Sequence, residues 1–252
     1  MTAPGERPRA RGVGRDRGYA APVRESIEIV VGGEAMTLLP ERGVWWASKR
    51  TIVIADVHLG KSQTLRASGA AVPAGVLDET LGRLDRLIRR AGATRVLVVG
   101  DFLHAGVGLT PDVIDRVAAW RRGFAGRLVV VPGNHDRALA RVAEAWRAEV
   151  APSPLVEGGV AFVHEPAEID GAFVWAGHVH PAVTLAGGGD RVKLACFVVG
   201  ARVGVLPAFT RFAAGGSRGI SDPAARLVAI AEGHLVEVPR QAPNRHAQVF
   251  GL

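Results

Sequence analysis

Five short apolar segments of this chain end in the same way, and that repetition limits what the chain can fold into. Residues 51–54 run into Ala55-Asp56-Val57-His58-Leu59-Gly60. Residues 96–99 run into Gly100-Asp101-Phe102-Leu103-His104, and residues 128–131 into Pro132-Gly133-Asn134-His135-Asp136. Residues 160–163 meet His164, and residues 173–176 meet Gly177-His178-Val179-His180. Runs this short and this rich in β-branched residues read as buried strands. Chance puts a polar ligand type after one strand easily and after five poorly. Asp56 and His58 lie two positions apart, and in an extended chain such residues point to one side. His178 and His180 alternate likewise, unless a loop turns them apart to serve different metals.

Amphipathic stretches separate the first three of these strands. Leu77, Leu81, Leu84 and Ile88 recur at helical spacing, with Pro73 as a candidate helix opener and Gly92 as the stop. Pro111 opens a second candidate, with Val113, Val117, Trp120 and Phe124 on one face. Leu139, Val142 and Trp146 suggest a third, shorter helix. Strand, crossover helix, strand is the pattern of parallel pairing, and such sheets bind ligands beyond the carboxyl ends of their strands. Ahead of this region, 27–31 and 35–39 read as a hairpin across Gly32-Gly33, followed by a short strand at 44–46. Trp45 and Trp46 cannot both face inward on a strand, so one is expected against a neighbouring layer. Beyond Pro154 the chain turns mostly β, with strands expected at 160–163, 173–176, 182–186, 191–199, 203–206, 227–230 and 235–238. Hairpin turns are expected at residues 187–190 and 232–234, and a loop at 213–223. Two sheets packed face to face with helices outside is the expected architecture.

The 252 residues are 48% hydrophobic, enough for a substantial core in a domain spanning 25–239. Residues 1–24 carry six arginines and two acids among many Gly, Pro and Ala, a composition that cannot bury itself. They read as a disordered basic extension, either an arm that touches nucleic acid or an untidy terminus. Residues 240–252 read as a frayed tail. The formal charge of +7 fits an anionic partner, nucleic acid above all, and fits equally an Arg-rich composition without functional meaning. One cysteine, Cys196, excludes an intrachain disulfide and a thiolate metal cluster. No apolar run reaches the length of a membrane span, and the basic N-terminus lacks a following apolar region, so the cytoplasm is the expected compartment.

The strand ends supply Asp56, His58, Asp101, His164, His178 and His180, with Asn134 able to add a carbonyl oxygen. Six of the eight histidines fall in these motifs. Mixed carboxylate, amide and imidazole donors suit manganese, iron or zinc better than copper. An aspartate in a Gly-Asp turn can offer both oxygens, which makes Asp101 the natural bridge between two cations. Such a pair, with a bridging hydroxide as nucleophile, suits phosphoester hydrolysis.

The order Asp-x-His, Gly-Asp-x-x-His, Gly-Asn-His-Asp, a lone His and Gly-His-x-His resembles the calcineurin-like metallophosphoesterases. That resemblance implies a four-layer α-β-β-α sandwich of two mixed sheets. It implies one metal on Asp56, His58, Asp101 and His180, and a second on Asp101, Asn134, His164 and His178. His135 would sit beside the phosphate as stabiliser or general acid, oriented by Asp136. The strings Ala55-Asp56-Val57-His58-Leu59-Gly60-Lys61, Arg66, Gly69, Val72-Pro73, Gly177-His178-Val179-His180-Pro181 and Leu206-Pro207-Ala208-Phe209 are similar to the ligase-associated DNA damage response endonucleases of the PdeM group. This likeness implies a manganese-dependent DNA endonuclease associated with a DNA ligase, a helicase and an exonuclease. His104 is a candidate for touching substrate or orienting a water. Lys61, Arg66 and Arg137 are candidates for phosphates flanking the scissile one. A small-molecule phosphoesterase, such as a nucleotidase or cyclic-nucleotide phosphodiesterase, would use the same metals behind a cap or closed pocket, and no insertion here is long enough for a cap. A non-catalytic scaffold would be expected to have lost ligands.

Overall fold

The computed structural model describes residues 23–187, 190–213 and 222–239. The expectations for the basic extension before residue 23, for the middle of the 187–190 turn, for most of the 213–223 loop and for the tail after residue 239 therefore lie outside the described residues. Val23 and Arg24, placed in the extension on composition, form a short strand (β1, Val23–Arg24).

The first sheet has seven strands in chain order: β2 (Ile27–Val31), β3 (Glu34–Leu39), β4 (Gly43–Trp46), β5 (Thr51–Ile54), β6 (Arg95–Val99), β7 (Arg127–Val131) and β8 (Ala148–Val150). β2 to β5 form an antiparallel meander, and β5 to β8 are parallel. Two helices make the parallel crossovers: α2 (Val76–Ala91), preceded by α1 (Lys61–Ala67), and α3 (Pro111–Gly123). Thr110 caps α3 by accepting from the Val113 N–H with Pro111 at the first helical position, as the sequence suggests. Gly92 ends α2 in the left-handed conformation. Pro73 opens nothing: α2 begins at Val76 after a glycine cap. The segment from Leu139 to Trp146 buries all three expected residues, but as a 3-10 turn (Asp136–Arg141) followed by further turns.

The second sheet runs β1, β16 (His234–Val238), β15 (Arg226–Ala231), β13 (Asp190–Val199), β14 (Val203–Val205), β11 (Phe173–Ala176), β10 (Val160–Val163) and β9 (Leu155–Glu157), with β12 (Ala182–Gly187) paired to β13. It too is mixed, because β10, β11 and β14 are parallel and the rest antiparallel. Sequence inspection passed over β8 and β9, three-residue edge strands too short to show a period.

Alternation within the buried strands sorts side chains into layers. Ile52, Ile54, Val96, Val98, Leu128 and Val130 face α2 and α3. Val53, Leu97, Val99, Val129 and Val131 face the other sheet and meet Phe162, Trp175 and Phe197. The adjacent tryptophans divide as expected: Trp46 is buried between the sheets and Trp45 packs on the helical side. The result is an α/β sandwich of two mixed sheets flanked by helices. All five motif strands bring their carboxyl ends to one rim of it.

Phe162 is fully buried and packs on Trp46 with ring centroids 5.8 Å apart. Phe162→Ala should destabilise the fold by about 3–5 kcal/mol, read from urea denaturation followed by circular dichroism. A loss below about 1 kcal/mol would mean that the inter-sheet core does not hold the sandwich together.

Candidate metal centre

Where β5 stops, the chain leaves extended geometry. Asp56, His58, Asp101, His178 and His180 all have positive φ, between 46° and 66°, although none is glycine. The alternation argument for Asp56–His58 and for His178–His180 therefore does not apply, since neither pair is extended. Left-handed backbone costs a non-glycine residue of order 1 kcal/mol or more and persists where the surroundings hold it. Here the motif loops hold one another. Asp56 N–H donates to Gly100 O, and His58 N–H donates to Asp101 O (3.2 and 2.9 Å). The N–H of His178 reaches both carboxylate oxygens of Asp56 (3.0 and 3.1 Å). Glycine is needed at residue 100, where φ is 74° and a Cβ would collide with the His164 ring.

The side chains form two clusters. Asp56, His58 and His180 are one; Asp101, His164 and His178 are the other, and within each the ligand atoms lie within 4.8 Å of one another. Asp101 turns one oxygen towards each cluster, with Oδ1 3.5 Å from His164 Nε2 and Oδ2 3.9 Å from His58 Nε2. Asn134 joins the second cluster, its Oδ1 2.8 Å from His164 Nε2.

The donor set fits cations. His164 Nε2 faces Asn134 Oδ1, His178 Nδ1 at 3.0 Å and Asp101 Oδ1, and one N–H cannot serve three acceptors. His58 Nε2 and His180 Nε2 meet at 3.2 Å with Asp56 Oδ1 3.6 Å from the latter. Lone pairs converging this closely are what a divalent ion satisfies. Burial first, then the charge of Lys61, drives His58 down to about 2, so its ring stays neutral and available as a ligand. Asp56 and Asp101 are buried while Asn134 and His178 are exposed, so the clusters open directly to solvent.

His135 lies beside this centre, its Nε2 4.0 Å from Asp101 Oδ2. Its Nδ1 pairs with the carbonyl oxygen of His104 at 2.6 Å, and the two rings stack at 5.2 Å. The expectation that Asp136 orients the His135 ring is corrected here. The Asp136 carboxylate instead accepts from the backbone N–H groups of Phe102, Leu103 and Gly133. Burial raises its pKa while those bonds lower it. A backbone carbonyl has no signature in a sequence, which is why the His104 contact was not foreseen.

The basic candidates separate. Lys61 starts α1, is half-buried, and is close enough to Asp101 and Asp56 to feel both charges, although burial outweighs them and lowers its pKa. Arg66 is occupied with the carbonyls of Val72 and Pro73 and lines a cavity of about 270 Å³ beside α1 and α2. Arg137 is exposed on the 3-10 turn.

The family model for calcineurin-like phosphoesterases matches residues 49–194. The solved nuclease MPE of Pseudomonas putida superposes with a TM-score of 0.73 and 33% identity, over 84% of this chain and all of that one. A phosphoesterase from E. coli, Yfce, shares 14% identity over 72% of this chain and 88% of its own, with a TM-score of 0.37. No curated protein sequence matches the chain.

In the metal-free protein the depressed pKa of His58 makes a pH prediction. The unfolded imidazole takes a proton near pH 6.5 while the folded one does not, so the unfolded state binds more protons below that point. Stability should then fall as pH drops below about 6.5, by at most about 1.4 kcal/mol per pH unit from this group. Urea denaturation of chelator-treated protein from about pH 7.5 to 5 checks it, with His58→Gln expected to flatten the slope. Equal slopes in the two proteins would contradict this.

Proposed function

The chain belongs to the calcineurin-like phosphoesterases and is a metal-dependent hydrolase, and from that premise we propose that it is an endonuclease acting on DNA phosphodiester bonds in repair. The observation that carries the reading is a pair of ligand clusters sharing Asp101 at an exposed rim. An open rim admits a polymer, and the formal charge of +7 favours an anionic one. The 33% identity to a protein described as a nuclease supports the same substrate class.

In this reading Asp56, His58 and His180 hold one divalent cation, and Asn134, His164 and His178 the other, with Asp101 shared. Manganese suits the mixed donors, with iron, zinc and magnesium as competitors. Bound there, the two cations supply Lewis-acid activation and neutralise charge for in-line displacement at phosphorus. The His104 carbonyl fixes the proton on His135 Nδ1, which leaves Nε2 facing the centre. In its imidazolium form His135 donates from Nε2 to the phosphate or to the departing oxygen. Asp136 ties the loop carrying Asn134 and His135 to the loop carrying His104. Lys61 holds a phosphate next to the scissile one. Association with a DNA ligase, a helicase and an exonuclease belongs to the same proposal.

Two substitutions divide the labour. Asp101→Asn should abolish manganese-dependent hydrolysis of a bis(p-nitrophenyl)phosphate-type substrate and lower metal uptake with the fold intact. His135→Ala should keep the metal and slow turnover by about 10²–10⁴-fold. Equal metal loss in both variants would refute that division. Single- and double-stranded oligonucleotides compared with mononucleotides, under each of the four metals, test the substrate. Hydrolysis confined to mononucleotides would replace the DNA reading with a nucleotidase.

A further inference from the structure

The apolar segment 206–210 has no part in the chemistry above, yet it joins the ends of two of the motif strands. Leu206 N–H donates to Ala176 O (2.8 Å), one residue before the Gly177-His178 turn. Phe209 N–H donates to Ala55 O (2.8 Å) and Thr210 N–H to Asp56 O (3.2 Å), and Ala208 forms a parallel bridge with Ala55. The segment thus fixes the peptide of Asp56, whose φ is 53°.

The successive carbonyls of Ala208, Phe209 and Thr210 are all taken by arginine. Arg42 Nη1 donates to Ala208 O (3.0 Å) and Thr210 O (2.7 Å). Arg83 Nη2 donates to Phe209 O, and its guanidinium carbon stands 4.3 Å from the centre of the Phe209 ring. Arg83 is only 4% exposed, and its nearest carboxylate, that of Glu79, is 3.9 Å away on the same helix. Burial lowers its pKa to about 10, which leaves it charged at neutral pH. An arginine on the inner side of α2 is costly to desolvate. Its hydrogen bond and its stacking both go to the segment that braces Asp56.

We propose that Arg83, seconded by Arg42, is a positioning residue for the Asp56–His58–His180 half of the metal centre, acting through segment 206–210. The proposal rests on the reading that these clusters hold two cations. Arg83 touches neither ligand nor substrate. It clamps the strip that holds Asp56 in its left-handed conformation, so its loss loosens the Asp56–His58–His180 cluster more than the other, which meets the clamped strip only through His178 and the turn before it.

The test is calorimetric titration of chelator-treated full-length protein with manganese, together with thermal melts and turnover at varied manganese. Wild type should take up two ions per chain. Arg83→Met should weaken one of them by about tenfold or more and leave the other within about twofold, an effect corresponding to about 1.4 kcal/mol. Turnover at saturating manganese should stay near wild type while the half-saturating concentration rises in step. Arg83→Lys should recover part of the affinity. Arg42→Met, at a less buried position, should give the same asymmetric loss and stands in should Arg83→Met fail to fold. Folded variants that melt lower yet bind both ions as wild type does would overturn the clamp and leave a merely structural arginine. A wild type that takes up no manganese would overturn the two-cation reading itself.

Discussion

Everything at the rim depends on donors from two separate sheets meeting within a few ångström. Asp56, His58, Asp101 and Asn134 follow strands of the seven-stranded sheet, while His164, His178 and His180 follow strands of the nine-stranded one. Neither sheet alone carries a complete set. The apolar layer between them, with Trp46, Phe162, Trp175 and Phe197 at its centre, therefore sets how the two clusters meet as well as the stability. Cores are close-packed and deform little, which gives the ligands a fixed frame.

The electrostatics follow from that convergence. Two buried carboxylates and a set of imidazole nitrogens are aimed at one another across gaps too short for all of them to be satisfied by protons. In most proteins such groups would be paired with donors or turned to solvent. Here the left-handed turns hold them together, and the loops that carry those turns bond to one another and to segment 206–210. Strain, close acceptors and a neutral His58 are three aspects of one preorganised cavity for cations.

The strands with the clearest sequence signal were those buried on both faces, because a β-branched run stopped by a polar ligand type has few other readings. The residues of the two clusters came from the same signal. What could not be read was backbone-borne. The turn from extended to left-handed geometry has no marker at Asp56, between Ala55 and Val57, and only Gly177 marks it at His178. The pairing of His135 with a carbonyl rather than with Asp136 involves a group every residue has. Pro73 misled because a helix-compatible φ does not start a helix by itself; Gly75 and the apolar stripe from Leu77 did. The edge strands β8 and β9 were too short to carry a period. Arg83 was hidden because its partners, the carbonyl and ring of Phe209, lie 126 residues away.

The bracing by Asp136 has a mechanical consequence. One carboxylate grips N–H groups from two loops, those of Phe102 and Leu103 on one and Gly133 on the other. The carboxylate therefore couples the two loops through three backbone hydrogen bonds. Asn134, His135 and His104 are thereby presented at the rim as one surface.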